Sequence, residues 1–182
     1  MTAATEKPTL FQRYQAYRTQ RWLERNKQTA GMLPGWRSRK RRRALVIAVA
    51  AALTVMFIAG LLCAFRLDWA ALIAGISALI FLPSWTMLRI TSQSQDSAPA
   101  GALDEMEITQ RDTARSVGLT ITQVLSLVPL LYLVFSGALF PEADAFGTAY
   151  AGGVMILATL AGGGCAPAMI LAWTRPDPDP EP

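Results

Sequence analysis

Residues 44–65 read ALVIAVAAALTVMFIAGLLCAF, a run without a single charged side chain. A helix that crosses the roughly 30 Å hydrocarbon core of a bilayer needs about 20 apolar residues, because it rises about 1.5 Å per residue. Three further stretches, at residues 69–88, 116–140 and 149–173, have the same character. A backbone inside hydrocarbon must satisfy its own hydrogen bonds, so each of the four runs is predicted to be a helix.

The four runs predict an all-α, polytopic membrane protein with four transmembrane helices arranged as two hairpins. The arm before the first run is too long for the charged region of a secretion signal, and the run itself exceeds a signal core, so it is interpreted as a permanent span. The predicted segments are a basic arm at 1–43, hairpins at 44–88 and 116–174, a linker and helix at 89–115, and a tail at 175–182.

The positive charges are strongly polarised along the chain. Residues 1–43 hold twelve of the 17 Lys and Arg side chains and carry a net charge of +10, whereas the remainder carries −6. Cationic loops stay on the cytoplasmic side of a membrane. Both termini and residues 89–115 are therefore predicted to be cytoplasmic in a bacterial inner membrane. The 66–68 turn and the loop containing Glu142 and Asp144 are predicted to be external.

A cluster of cations directly precedes the first span. Such a cluster fixes the topology, and it also binds anionic lipid of the inner leaflet at about 1 kcal/mol per suitably placed charge. Nucleic acid would be attracted by the same charge, but the membrane anchor and the lack of a recognisable binding module argue against it. The predicted contacts with anionic lipid are Arg37, Arg39, Lys40, Arg41, Arg42 and Arg43.

Further upstream, residues 9–28 are predicted to form an N-terminal amphipathic helix. Leu10, Tyr14 and Tyr17 recur at helical spacing among several arginines. We interpret this segment as an interfacial helix that lies on the inner membrane surface. A helix that docks on a partner protein is the alternative.

The segment before the third span combines a flexible stretch with a helix start. Residues 91–101 are rich in Ser, Gln and small side chains, which predicts a flexible linker. Asp104 and Glu107 then match a capping box with Asp in place of Ser or Thr, so a helix is predicted to begin there and to run into the third span.

The same acidic residues resemble a known motif. They resemble the "DERE" type of juxtamembrane motif of uncharacterised small four-helix bacterial membrane proteins, from which this chain departs at Met106, where Arg is common. The resemblance implies an integral membrane protein and supplies no activity. It rests on Asp104, Glu105, Met106 and Glu107, followed by Arg111 and Ala114. The alanine-rich, lysine-poor composition resembles that of a high-GC bacterium such as an actinobacterium.

None of the four runs contains Asp, Glu, Lys, Arg or His. Such residues within a membrane usually mark ion paths, proton relays or substrate sites. Their absence argues against a proton-coupled transporter, a charged pore and an intramembrane acid–base enzyme. The chain also lacks His altogether, and its two cysteines have no metal or redox spacing. No catalytic residue, cofactor or metal site is therefore predicted.

Polar and small side chains in the last two runs are predicted to hold helices together. Gln123 brings two donors and an acceptor into hydrocarbon, and Ser126 follows it, which favours adhesion between helices. A substrate or water path is the alternative interpretation. Ala158, Gly162 and Ala166 form a small-residue ridge that permits close helix approach.

The fourth run also contains a candidate hinge. Gly163, Gly164 and Pro167 follow Gly162 and weaken a helix further than packing requires. They predict a kink or an unwound hinge near the inner half of the helix.

These patterns favour a non-enzymatic accessory or scaffold subunit of a membrane complex. Its expected partners are anionic lipid and either other membrane protein subunits or copies of itself in a homo-oligomer. The alternative is a small oligomeric transporter, channel or holin-like permeabilising protein, which the Gln123 face and the glycine hinge support. A membrane enzyme that uses Asp104, Glu105 or Glu107 forms a third class.

Overall fold

A computed structural model describes residues 9–33, 36, 38–92, 95–140 and 144–175 of the 182-residue chain. Within these ranges the chain is all-helical and contains no strand. Two single 3-10 turns, Gln95–Ser97 and Ala100–Ala102, lie between the third and fourth α-helices. The five α-helices are α1 (Leu10–Ala30), α2 (Arg39–Ala64), α3 (Ala70–Thr91), α4 (Glu105–Leu139) and α5 (Ala145–Thr174).

Helices α2 to α5 are each long and apolar enough to span a membrane. Apart from single residues at their ends, they contain the four runs found in the sequence, so the prediction of an all-α chain with four helices long and apolar enough to span a membrane is confirmed for the described residues. Helix α4 begins well before residue 116 because the predicted helix at Glu105 continues without a break into the apolar run.

The start of α4 is fixed by a reciprocal pair of hydrogen bonds. The backbone N–H of Glu107 donates to Oδ1 of Asp104 at 2.7 Å, and the backbone N–H of Asp104 donates to Oε2 of Glu107 at 3.4 Å. This arrangement is a capping box, as the sequence predicted. It satisfies backbone donors that have no partner within the helix.

The four long helices form a row in the order α3, α2, α5, α4. Helix α2 packs against α3 and α5, and α5 also packs against α4, whereas α3 and α5 touch only slightly. Two connected helix pairs, α2 with α3 and α4 with α5, thus meet along α2 and α5. Helix α4 lies at one edge of the row, and its buried residues are only Arg111, Ala114, Gly118 and Pro129.

The apolar core lies between α2, α3 and α5. Its centre is filled by large side chains, among them Val49 of α2, Leu88 of α3 and Met155 of α5, all 0% exposed. Cys165 is buried in this core, Cys63 is half-buried, and both thiols are free. The middle of a single copy is therefore occupied by side chains.

A tight turn joins α2 to α3. The backbone N–H of Arg66 donates to the Cys63 carbonyl at 2.9 Å, and that of Leu67 donates to the Leu62 carbonyl at 3.2 Å. This is the Schellman pattern, in which the residue after the cap adopts a left-handed conformation that glycine favours. Arg66 occupies that position with a φ of 62°.

Candidate functional site

Helices α2 and α4 begin, and α3 and α5 end, at the same end of the row, which we call the basic end. This placement follows from the hydrogen bonds described below, which join all four helices there. The cationic side chains described at this end are Arg39, Lys40, Arg41, Arg42, Arg43, Arg89, Arg111, Arg115 and Arg175.

Arg42 lies inside the basic end and not on its surface. It is only 2% exposed, and its guanidinium donates to the backbone carbonyl of Arg175 at 2.8 Å. Arg175 is the C-cap of α5, where helix carbonyls lack partners and a cation is favourable. Arg42 therefore joins the start of α2 to the end of α5 with its side chain buried; the lipid contact predicted for it stays a prediction.

Arg175 continues the connection to α3. Its guanidinium donates to the backbone carbonyl of Ser92, the C-cap of α3, at 3.4 Å. Arg42 and Arg175 thus link one helix start and two helix ends. In both links an arginine meets a carbonyl at the negative end of a helix dipole.

The segment predicted as a flexible linker is packed against α4 in its described part. Arg111 is 6% exposed and donates to the backbone carbonyl of Ala98 at 2.6 Å. Arg115 donates twice to the backbone carbonyl of Asp96, at 2.6 and 3.1 Å. These bonds hold the described part of the segment against α4, because α4 supplies donors for its carbonyls; the flexible linker stays a prediction.

Three arginines of the basic end stack on tryptophan rings. The guanidinium carbon of Arg41 lies 5.7 Å from the ring centroid of Trp36. The guanidinium carbon of Arg43 lies 4.6 Å from the ring centroid of Trp173 on α5. That of Arg89 lies 5.8 Å from the ring centroid of Trp85, one turn earlier on α3. Such cation–π contacts hold the charges beside amphipathic rings.

Only some of the six side chains predicted to contact anionic lipid are exposed at the start of α2. Arg39, Lys40 and Arg41 are exposed at the start of α2, whereas Arg43 is half-buried. Arg37 lies outside the described residues. These three side chains are therefore the described members of the set that are open to solvent or to a ligand.

Helices α4 and α5 come into backbone contact at two glycines. A Cβ atom on Gly118 would lie 2.8 Å from the Gly163 carbonyl and 2.9 Å from Cδ of Pro167. A Cβ atom on Gly163 would collide with the side chain of Thr122. Gly163 and Pro167, predicted as a hinge, thus form part of a helix contact. Helix α5 is unbroken through this region.

The ridge of Ala158, Gly162 and Ala166 lies elsewhere on α5. It lines an apolar groove of about 380 Å³ between α2 and α4, together with Phe57 and Leu125. Ala158 and Ala166 are buried, but a Cβ atom on Gly162 would meet nothing within 4 Å. Gly164 likewise faces open space. The close contact between α4 and α5 is therefore at Gly163, one residue after Gly162. The four-residue spacing of the small side chains does not show this difference.

Gln123 is exposed on α4 and is not enclosed between helices of this copy. Its backbone carbonyl accepts a hydrogen bond from Oγ of Ser126 at 3.1 Å. No hydrogen bond of the Gln123 side-chain amide occurs within the described part of the chain. One turn on from Gln123, Leu127 is 55% exposed. The structure thus leaves a polar amide on an exposed apolar helix face.

Helix α1 lies beside the C-terminal end of α3. A cavity of about 390 Å³ separates them, and its lining includes Trp22, Arg25 and Asn26 of α1 together with Trp85 and Arg89 of α3. Sequence reasoning did not predict this cavity, because nothing in the pattern of either segment shows that the two helices meet.

A sequence signal for the buried Arg42 does exist. Arg42 precedes the core residues Leu45, Val46 and Val49 by three, four and seven positions, so all four share one helix face. The apolar periodicity of α2 therefore extends into the basic stretch. The number of charges in this stretch does not show that Arg42 shares a helix face with core residues.

Comparison with protein-family models, curated proteins and solved structures gave no match. The resemblance at Asp104 to Glu107 stays a prediction. Within the described ranges, no group of three or more His, Cys, Asp or Glu side chains is placed to hold a metal ion.

Proposed function

We propose that this chain is a non-enzymatic accessory or scaffold subunit of a bacterial membrane complex, and that the exposed face of α4 binds a transmembrane helix of another protein. The observation that carries this proposal is the Gln123 amide, which stands on an exposed apolar face at the edge of the helix row.

The depth of Gln123 explains why a partner is needed. It lies eight residues after Arg115, or about 12 Å along a helix that rises about 1.5 Å per residue. If Arg115 lies near the headgroups, Gln123 lies in hydrocarbon. An amide buried there without a hydrogen bond costs several kcal/mol, roughly 2–7 depending on the reference state. Lipid chains offer no donor or acceptor, whereas a polar side chain on a neighbouring helix does.

The orientation follows from the basic end. Cationic segments stay in the cytoplasm, so the basic end faces the cytoplasm of a bacterial inner membrane and both termini lie on that side. Arg39, Lys40 and Arg41 then project at the level of the anionic headgroups, where each contributes about 1 kcal/mol of attraction before screening. Trp85 and Trp173 lie at the same level, as is common for tryptophan at membrane interfaces.

Helix α1 completes the proposed inner surface. Leu10, Tyr14 and Tyr17 are 85%, 58% and 57% exposed, so their apolar surface is not covered by this chain. Arg18 and Arg21 stack over the two tyrosine rings at 5.9 and 6.0 Å. An amphipathic helix with these side chains rests on the inner leaflet with its aromatic residues in the headgroup region.

Two features support a role without catalysis. The spans contain no Asp, Glu, Lys, Arg or His within their apolar runs, and such residues are the usual intramembrane catalytic groups. Of the three candidates for a membrane enzyme, Asp104 and Glu107 are engaged in the capping box of α4, and Glu105 is not part of it.

An oligomeric channel or transporter is the second candidate. The observation in its favour is that Gln123 and Ser126 are polar and lie one turn apart on the helix at the edge of the row. Side chains fill the space between α2, α3 and α5. A conducting path would therefore have to lie between copies of this chain and be lined by α4 of each copy.

The mass and composition of the intact particle separate these candidates. The tagged protein is purified from its native membrane in mild detergent. A foreign protein in stoichiometric amount supports the accessory role, whereas a homo-oligomer or a lone chain overturns it. The variant Gln123→Leu should lose the partner, and Thr120→Val, an exposed control whose hydroxyl bonds the Ser116 carbonyl of its own helix, should keep it. If both variants retain the partner, Gln123 does not contribute to the interface.

A further inference from the structure

The cavity between α1 and α3 combines positive charge with amphipathic rings. Arg25 and Arg89 line it from opposite helices, and Trp22 and Trp85 lie beside them. Among the described residues that line it there is no Asp or Glu. A volume of about 390 Å³ falls in the range of roughly 300–1,000 Å³ that small-molecule sites occupy. The charge of this cavity therefore suits an anion larger than a simple ion.

Arg89 is held in place at the cavity wall. Its guanidinium donates to Oγ of Ser97 at 3.2 Å and stacks over Trp85. Arg25 is exposed on α1 and carries no hydrogen bond from its guanidinium within the described chain. One arginine is thus fixed on the membrane-spanning helix, and the other is available on the helix that covers it.

Asn26 adds a second kind of contact. Its side-chain oxygen is buried, lines the cavity and accepts no hydrogen bond within the described part of the chain. A buried acceptor of this kind is costly unless a donor reaches it. A hydroxyl group of a ligand would supply that donor.

The cavity also lies at the depth of a lipid headgroup. Arg89 is in the last turn of α3, at the end of the bundle where the exposed cations Arg39 to Arg41 are found. Basic pockets beside transmembrane helices on the cytoplasmic side are suited to anionic headgroups. A lipid that enters this space keeps its chains in the bilayer and places its phosphate between two arginines.

We propose that this cavity binds the headgroup of an anionic phospholipid that carries a hydroxyl group, such as phosphatidylglycerol. The phosphate lies between Arg25 and Arg89, and a headgroup hydroxyl donates to Asn26. This site is separate from the exposed cations of α2, and it rests on the cytoplasmic placement of the basic end under the proposed function. Free phosphate shares the same charge chemistry, so the test must distinguish the two sources.

Mass spectrometry of the intact, full-length protein in detergent tests the site. Phosphatidylglycerol, phosphatidic acid, phosphatidylcholine and inorganic phosphate are titrated separately. We expect one phosphatidylglycerol molecule to bind on the order of tenfold more tightly than phosphatidylcholine, since two cations contribute. Arg25→Gln should weaken this binding by about fivefold, the effect of one charge near a headgroup. The control Lys27→Gln removes the same charge outside the cavity lining and should leave the binding unchanged.

A second variant tests the hydroxyl contact. The unaltered protein should bind phosphatidylglycerol more tightly than phosphatidic acid, which lacks the glycerol hydroxyls of that headgroup. Asn26→Leu should abolish this difference and retain the preference for an anionic lipid over phosphatidylcholine. Equal binding of phosphatidylglycerol and phosphatidylcholine overturns the proposal, as does an equal loss in Arg25→Gln and Lys27→Gln. Displacement of the lipid by inorganic phosphate assigns the cavity to free phosphate and also overturns it.

The outcome is independent of the subunit role. Failure of the lipid test leaves the composition of the native particle unchanged, so it does not count against a protein partner. The lipid site and the proposed function both assume that the basic end faces the cytoplasm. Protease access to an N-terminal tag, in sealed vesicles of known orientation, tests this assumption separately. Access to the tag from the external face overturns the lipid site and the orientation together.

Discussion

The guanidinium of Arg42 lies 2.8 Å from the backbone carbonyl oxygen of Arg175, across 133 positions of sequence. This hydrogen bond joins the first turn of α2 to the C-cap of α5, the two helices that form the middle of the row. Arg175 then reaches the C-cap of α3. Arg42 belongs to the basic stretch whose charge predicts the orientation in the membrane, and it also joins two helices of the bundle.

Replacing Arg42 with Ala should lower the free energy of unfolding by about 2 kcal/mol, because hydrogen bonds that involve a charged group contribute roughly 1.5–3 kcal/mol. Denaturant unfolding in detergent micelles measures the change. Lys40→Ala, in the same turn but exposed, is the control and should shift the unfolding free energy by less than about 0.5 kcal/mol. Equal losses in the two variants would show that the bridge contributes nothing.

The glycine run of α5 offers a matched pair of substitutions. Gly163→Ala places a methyl group against Thr122 and should cost roughly 1–3 kcal/mol through overpacking. Gly162→Ala adds the same methyl group where nothing lies within 4 Å, so it should be neutral or stabilising. Thermal unfolding in detergent compares them. Similar melting temperatures would contradict the contact between α4 and α5 at Gly163.

The turn between α2 and α3 should gain stability from a glycine. Arg66 has a φ of 62°, and a residue with a Cβ atom pays about 1–2 kcal/mol in the left-handed region. Arg66→Gly should therefore raise the free energy of unfolding by about 1 kcal/mol. Arg66→Ala removes the same charge but keeps the Cβ atom, so it should bring no such gain. Equal effects of the two variants would assign the change to charge and not to backbone conformation.

The spans could be predicted from sequence because hydrophobic length is a local property. Residues 44–65 and the three similar runs each meet the length requirement without reference to the rest of the chain, and Asp104 with Glu107 form a local capping box. Both predictions are confirmed. The placement of Arg42 could have been suggested by its register with Leu45 and Val49, but its partner Arg175 could not.

The contacts between helices could not be predicted, because they depend on how each helix is rotated about its axis. Gly162 and Gly163 are equally small, yet only Gly163 faces α4. Residues 91–101 have the composition of a linker, and only the rotation of α4 brings Arg111 and Arg115 to their carbonyls. The cavity between α1 and α3 depends on tertiary placement in the same way.

The central claim is that the face of α4 around Gln123 binds another protein within the membrane. A photoreactive amino acid at Leu127, one turn from Gln123 and 55% exposed, tests it in living cells. The control position is Leu79, which is 72% exposed on α3, the helix at the other edge of the row. We predict a covalent adduct with a foreign membrane protein from position 127 and none from position 79. An adduct only between copies of this chain, or no protein adduct at position 127, would contradict the account.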